Sequence, residues 1–118
     1  MTATASAIKS TNIAAAAAAD KLGDNMVALD VSSRMPFADV FLMVSGRNER
    51  QVASIADEIE EKMLEAGNKC LRKSGKETGQ WILLEFNEVI CHVMLEEARM
   101  FYSLESLWKD CPVVRLEV

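Results

Sequence analysis

The sequence predicts a single α/β domain: a sandwich with a mixed sheet of four or five strands and helices on its faces. Three observations lead there. The periodicities along the chain run helix, two strands, helix, a short strand, two strands, helix. The strand candidates are apolar on both sides instead of alternating at period two, so both faces of the sheet need cover. A length of 118 residues, 50% apolar and 26% charged, is enough for one hydrophobic core and too little for two.

Charge and cysteine usage narrow the function classes. There are 13 Lys and Arg against 18 Asp and Glu, a net charge of −5. Such a chain is a poor primary binder of nucleic acid, where affinity comes mainly from neutralising phosphates, and no direct nucleic-acid specificity is expected. It suits a basic protein surface, where complementary charge speeds encounter. Cys70, Cys91 and Cys111 are an odd count, which argues against a disulfide framework and for a reducing, cytoplasmic setting. Together with His92 they supply four potential zinc ligands, but without a C-x-x-C or a paired histidine no metal or other cofactor is expected. No stretch approaches the roughly 20 apolar residues of a membrane span.

Residues 1–24 are Ala-rich, with an unbroken run from Ala14 to Ala19, and read as an N-terminal extension carrying a short helix over 13–22. Lys9 alone precedes the run and no Arg occurs before Arg34, which speaks against a signal or transit peptide. The main domain is assigned to 25–118. Residues 25–31 form a strand candidate; Ser32, Ser33 and Pro36 break it; residues 39–45 form a second strand, apolar on both sides. Gly46 turns the chain, and Asn48 caps a helix with Gln51 in the position of a capping-box partner. Val52, Ile55, Ile59 and Met63 follow at helical spacing, the acidic residues around Asp57 take the solvated faces, and Gly67 ends the helix. A short strand is expected over 68–72 and a polar loop over 73–79; KSGK in that loop lacks the spacing of a phosphate loop and precedes a strand.

Residues 80–108 organise the rest. Trp81, Ile82, Leu83 and Leu84 begin a strand, residues 85–88 turn, and residues 89–95 return. Trp81 and Leu83 point to one face, and Ile82, Leu84 and Phe86 to the other. Either helices cover both faces, or one face meets another molecule. If residues 96–109 are one helix, Met100, Phe101, Leu104, Leu107 and Trp108 share a core face, and Tyr102 points away beside Arg99 and Glu105. Alternatively Ser103 caps a fresh helix and Tyr102 sits at the joint. Tyr102 and Trp81 are the candidate exposed aromatics, and aromatics near an arginine are the composition of interface hot spots. The competing assignment makes Trp81 core and Tyr102 an ordinary half-buried tyrosine.

Four blocks in order carry a resemblance: Val27-Ala28-Leu29-Asp30-Val31; Asp39 to Ser45, then Gly46, Arg50-Gln51-Val52 and Ile55-Ala56-Asp57-Glu58; Trp81 to Leu84 with Val89, His92 and Val93; and Glu97-Ala98-Arg99 with Tyr102, Leu104-Glu105 and Leu107-Trp108. Over about residues 26–108 the chain resembles the ribosomal silencing factor (RsfS, or Iojap) family. The resemblance implies a nucleotidyltransferase-like topology and a translational repressor. Such a repressor binds the large ribosomal subunit through a uL14-type ribosomal protein at the subunit interface, and blocks subunit joining when nutrients are short. It acts as a monomer on the ribosome, with a homodimer left open for the free protein. It also implies that Trp81 and Tyr102 lie on the contact surface, with Phe86, Met94 and Arg99 added by proximity. The chain departs from the family at Asn87, where Gly is common, and at Arg47-Asn48-Glu49, where small hydroxyl residues are common.

An enzyme is not expected. Nucleotidyltransferases pair a Gly-Ser turn with a D-x-D carboxylate pair for Mg²⁺; here the order is Ser45-Gly46, D-x-D is absent, and Asp39 and Glu85 are isolated. His92 reads as a hydrogen-bonded structural residue with no nucleophile to activate, so no catalytic residue is assigned. The alternatives to repression are a large-subunit assembly factor and a generic oligomerising scaffold.

Overall fold

The computed structural model describes residues 2–102 and 104–118, with side chains outside 101–105. Ten elements follow in order: α1 (Ala5–Asp20), β1 (Asp24–Asp30), β2 (Val40–Gly46), α2 (Glu49–Glu65), β3 (Arg72–Ser74), β4 (Trp81–Glu85), β5 (Val89–Leu95), α3 (Glu96–Tyr102), α4 (Leu104–Leu107) and β6 (Val113–Val114). The strands form one mixed sheet in the order β3-β4-β5-β2-β1-β6. Among the described residues only the central β2–β5 pair is parallel, from Val40↔Val89 to Gly46↔Leu95; its neighbours on either side run antiparallel. A parallel pair needs a long crossover, and α2 lies within it.

The α/β sandwich is as the sequence predicts, with six strands instead of four or five. The additional strand is β6, two residues paired with Ala28 and Leu29 of β1, too short to register as a period. The short strand expected over 68–72 sits later, at Arg72–Ser74, where it pairs with Leu83–Glu85. There Lys73 reaches α2 and bonds Glu60 at 2.9 Å and Asp57 at 3.2 Å, so a tertiary charge contact pins a segment that looks like loop.

Helices α1 and α2 cover one face of the sheet. Beneath them lie Val40, Leu42 and Val44 of β2 with Cys91 and Val93 of β5, all fully buried. Helix α1 is longer than predicted. Thr4 caps it, accepting from the Ala7 amide at 3.0 Å, and Ala7, Ala14, Ala15, Ala17 and Ala18 are buried. Methyl-sized side chains let α1 lie close against α2 and the sheet, so this helix is part of the core. The helix α2 carries the predicted stripe: Val52, Ile55, Ala56, Ile59 and Met63 are all fully buried. Asn48 caps it, accepting from the Gln51 amide at 2.8 Å. Gln51 does not close the expected capping box on Asn48. Its side-chain Oε1 accepts from the Arg47 amide at 2.7 Å, and its Nε2 donates to Lys21 O and Leu22 O at the end of α1. The two helix ends are thereby tied together. Gly67 ends α2 with φ +90°, as predicted.

The other face has a second, smaller core of Leu29, Val31, Ala38, Phe41, Met43 and Cys111, with Trp108 packed against it. This cover comes from the C-terminal segment and the loop between β1 and β2, and it lies over the β1–β2 half of the sheet. Over 96–109 the described residues form α3 and α4, and residue 103 between them lies outside the described residues, so the choice between one helix and a fresh one after Tyr102 falls there. Of the face expected to be core, Met100 and Leu107 are 72% and 66% exposed, while Arg99 turns inward.

Candidate protein-docking site

On the β4–β5 half, the face away from α1 and α2 is only partly covered. Strand parity puts Trp81, Leu83 and Glu85 of β4 there, opposite Met94, His92 and Ile90 of β5. Trp81, Leu83 and Ile90 are each half-buried, and together they form an apolar strip on an otherwise acidic protein. β3 borders the strip, with exposed Arg72 paired loosely to Glu85 at 3.7 Å. Charged side chains on such an edge discourage pairing with another strand, which leaves the face rather than the edge for contact.

The Trp81 indole is held in place. Its Nε1–H donates to His92 Nδ1 at 3.2 Å, a diagonal pair on adjacent strands. His92 meets Phe41 edge-on at 5.0 Å between centroids, Phe41 meets Trp108 likewise at 5.0 Å, and the Arg34 guanidinium lies 4.7 Å over the Trp108 ring. A continuous aromatic row thus crosses the sheet from the open strip to its covered half. Burial drives the His92 imidazole down to about 4, keeping it neutral near pH 7. Its Nε2 is buried with no hydrogen-bond partner among the described residues.

The three residues added to the contact surface by proximity are buried. Phe86 is 4% exposed and packs in the core under α1 and α2, on the opposite face from Trp81. Met94 shares the face of Trp81 but is fully buried where β5 runs into α3. Arg99 is 6% exposed and donates to Ser45 Oγ at 2.9 Å and to the Asn25 carbonyl. Asn25 lies at the β1 bulge with φ +51°, which turns its carbonyl toward α3. Glu96 completes this polar cluster. Hydrogen bonds from Ser45 and then from Asn25 hold its carboxyl below the usual range, and the Arg99 charge adds to the effect. A cleft of about 490 Å³ opens beside it, lined by Asn25, Val27, Glu96, Arg99 and Met100 among others. The side chain of Tyr102 lies outside the described residues.

The carboxylates considered for catalysis have structural partners. Asp39 accepts from the Thr4 amide at 2.9 Å at the start of α1, far in sequence from Glu85 and its Arg72. Ser45, beside Gly46, is engaged by Arg99. Among the described residues no group of three or more His, Cys, Asp or Glu could hold a metal ion. Sequence reasoning missed Leu83 and Ile90 as members of the strip. The parity shared by Trp81 and Leu83 was a signal; placing Ile90 beside them needed the hairpin register.

A family model described as RsfS, ribosomal silencing factor during starvation, matches residues 4–118, so the match takes in α1. The chain is 38% identical over 98 residues to the ribosomal silencing factor RsfS of Halalkalibacterium halodurans, covering 83% of this chain and 84% of that one. It is 28% identical over 83 residues to the mouse protein named mitochondrial assembly of ribosomal large subunit protein 1, covering 68% of this chain and 36% of that one. A crystal structure of a Chromobacterium violaceum protein superposes with a TM-score of 0.84 at 30% identity, covering 93% of this chain and 91% of the other.

Proposed function

The chain belongs to the ribosomal silencing factor family, and on that premise we propose that it docks on the large ribosomal subunit and keeps the small subunit from joining. The partner is a uL14-type protein at the subunit interface, the setting is the cytoplasm during nutrient limitation, and the action is occlusion without catalysis. The observation that supports this reading is the half-open apolar strip of Trp81, Leu83 and Ile90 on the flank of the sheet opposite α1 and α2. A net charge of −5 suits a basic ribosomal-protein surface. Trp81 and Tyr102 are the proposed anchors. Phe86, Met94 and Arg99 shape the platform from within, since buried side chains offer a partner no area.

The test is cosedimentation of Trp81→Ala, Tyr102→Ala and the double variant with purified large subunits, folding being checked by circular dichroism. Binding is expected to weaken at least tenfold in Trp81→Ala, as for a hot-spot aromatic; undiminished binding by a folded double variant rejects the surface. The name of the mouse relative favours a second reading, assistance in large-subunit assembly. Sucrose gradients of cells lacking the protein distinguish the two. Incomplete large-subunit particles indicate assembly; an excess of joined ribosomes under starvation indicates repression.

A further inference from the structure

We propose that His92 is a positioning residue for docking: it takes up the single hydrogen-bond donor of Trp81 and so presents the indole to the partner as a locked, wholly apolar plate. The inference rests on the reading of the open face as the docking surface. A half-exposed tryptophan on a strand has two free side-chain torsions and one N–H. Both oppose docking, because the torsions must be frozen and the N–H must lose its water. Here the N–H is already satisfied from inside the protein, by His92 Nδ1 at 3.2 Å. The acceptor is itself immobile. His92 is 6% exposed, packed edge-on against Phe41 at 5.0 Å, and opposite Leu83 in the hairpin register.

An accepting Nδ1 places the ring proton on Nε2, and that atom is buried with no hydrogen-bond partner among the described residues. A buried donor left unpaired lowers stability, and an aliphatic side chain of similar volume would avoid the loss. Stability therefore does not account for a histidine here. Presentation of Trp81 does, because Leu could not accept the indole N–H and the Met thioether would accept it only weakly. Asn or Gln could accept it, but would bring a buried amide with two further donors to satisfy.

The experiment is a double-mutant cycle on large-subunit binding with His92→Leu and Trp81→Phe, with thermal melts of every variant. His92→Leu is expected to melt at or above the wild-type temperature yet to bind about tenfold more weakly, the usual consequence of a donor left to be desolvated. In the Trp81→Phe background, which has no N–H, it is expected to change binding by less than twofold. Wild-type binding by His92→Leu, or an equal loss in both backgrounds, overturns the proposal. Nitrogen NMR of the unmodified protein supplies an arm that does not depend on the variants folding. It should show one neutral His92 tautomer with Nδ1 unprotonated and one shifted indole N–H; averaged tautomers overturn the proposal. Full binding by Trp81→Ala would overturn the docking surface as well. That result is distinct from failure of the inference alone, in which Trp81→Ala loses binding and His92→Leu does not.

Discussion

Arg99 tests the difference between a residue that holds the proposed docking platform and one that would touch a partner. Near a candidate exposed aromatic in sequence, it looks like an interface arginine; in the structure it is 6% exposed and bridges α3 to β1 and β2. Arg99→Ala deletes donors to the Asn25 carbonyl and to Ser45 Oγ. Ser45 is 1% exposed, so its hydroxyl has little water to turn to, whereas Asn25 is exposed and recovers part of its loss. A hydrogen bond involving a charged group contributes about 1.5–3 kcal/mol, and relief of the buried guanidinium's desolvation offsets some of it, leaving a cost of about 2–3 kcal/mol. At about 2.1 cal/mol/K per residue, the unfolding entropy of the 118-residue chain is about 0.25 kcal/mol/K, so the melting temperature should fall by about 8–12 °C. Arg99→Lys should fall between the two proteins, because one ammonium cannot reproduce a forked donor. The assay is thermal unfolding by circular dichroism, paired with cosedimentation on large subunits well below the midpoint, where the variant is folded and should bind within about twofold of wild type. A variant that melts like wild type and loses binding would refute the structural role and return Arg99 to the contact surface.

Three further outcomes are expected. Gly75 has φ +87°, and a Cβ there would stand 1.9 Å from the Trp81 carbonyl oxygen, so Gly75→Ala should displace the start of β4, cost about 2–4 kcal/mol in urea unfolding and weaken docking with it. Ile59 is fully buried between α2 and the sheet, and Ile59→Ala should cost about 2–5 kcal/mol by the same measurement, with the slope against urea unchanged. His92 titrates at about 4 in the folded protein against 6.5 unfolded. The unfolded state thus binds the extra proton first, and stability should be complete above pH 6.5 and decline by about 3 kcal/mol as pH falls to 4. Urea midpoints across that range should show a steeper acid limb for wild type than for His92→Leu; parallel limbs would refute it.

Much of the fold was legible because local chemistry and tertiary position agreed. The α2 stripe, the Asn48 cap and the Gly67 stop needed nothing beyond nearest neighbours, and the parity separating Trp81 and Leu83 from Ile82, Leu84 and Phe86 follows from the pleat. The family was legible too, through an ordered set of short blocks that the comparisons support from residue 4 to residue 118. What needed tertiary structure was every relation between distant segments. Two-residue β6 exists only because β1 offers it an edge, and Gln51 left its capping box because the end of α1 presented carbonyls. Met100 faces out and Arg99 in because the Asn25 carbonyl and Ser45 accept from a guanidinium, a preference that helical periodicity cannot express. The bond from Trp81 to His92 depends on a register that no window of sequence contains. Composition and local pattern thus determined which surfaces were apolar and which elements would form. The pairing of strands decided which apolar surface stayed partly open, because burial is a property of neighbours and those neighbours are brought together only by the completed sheet.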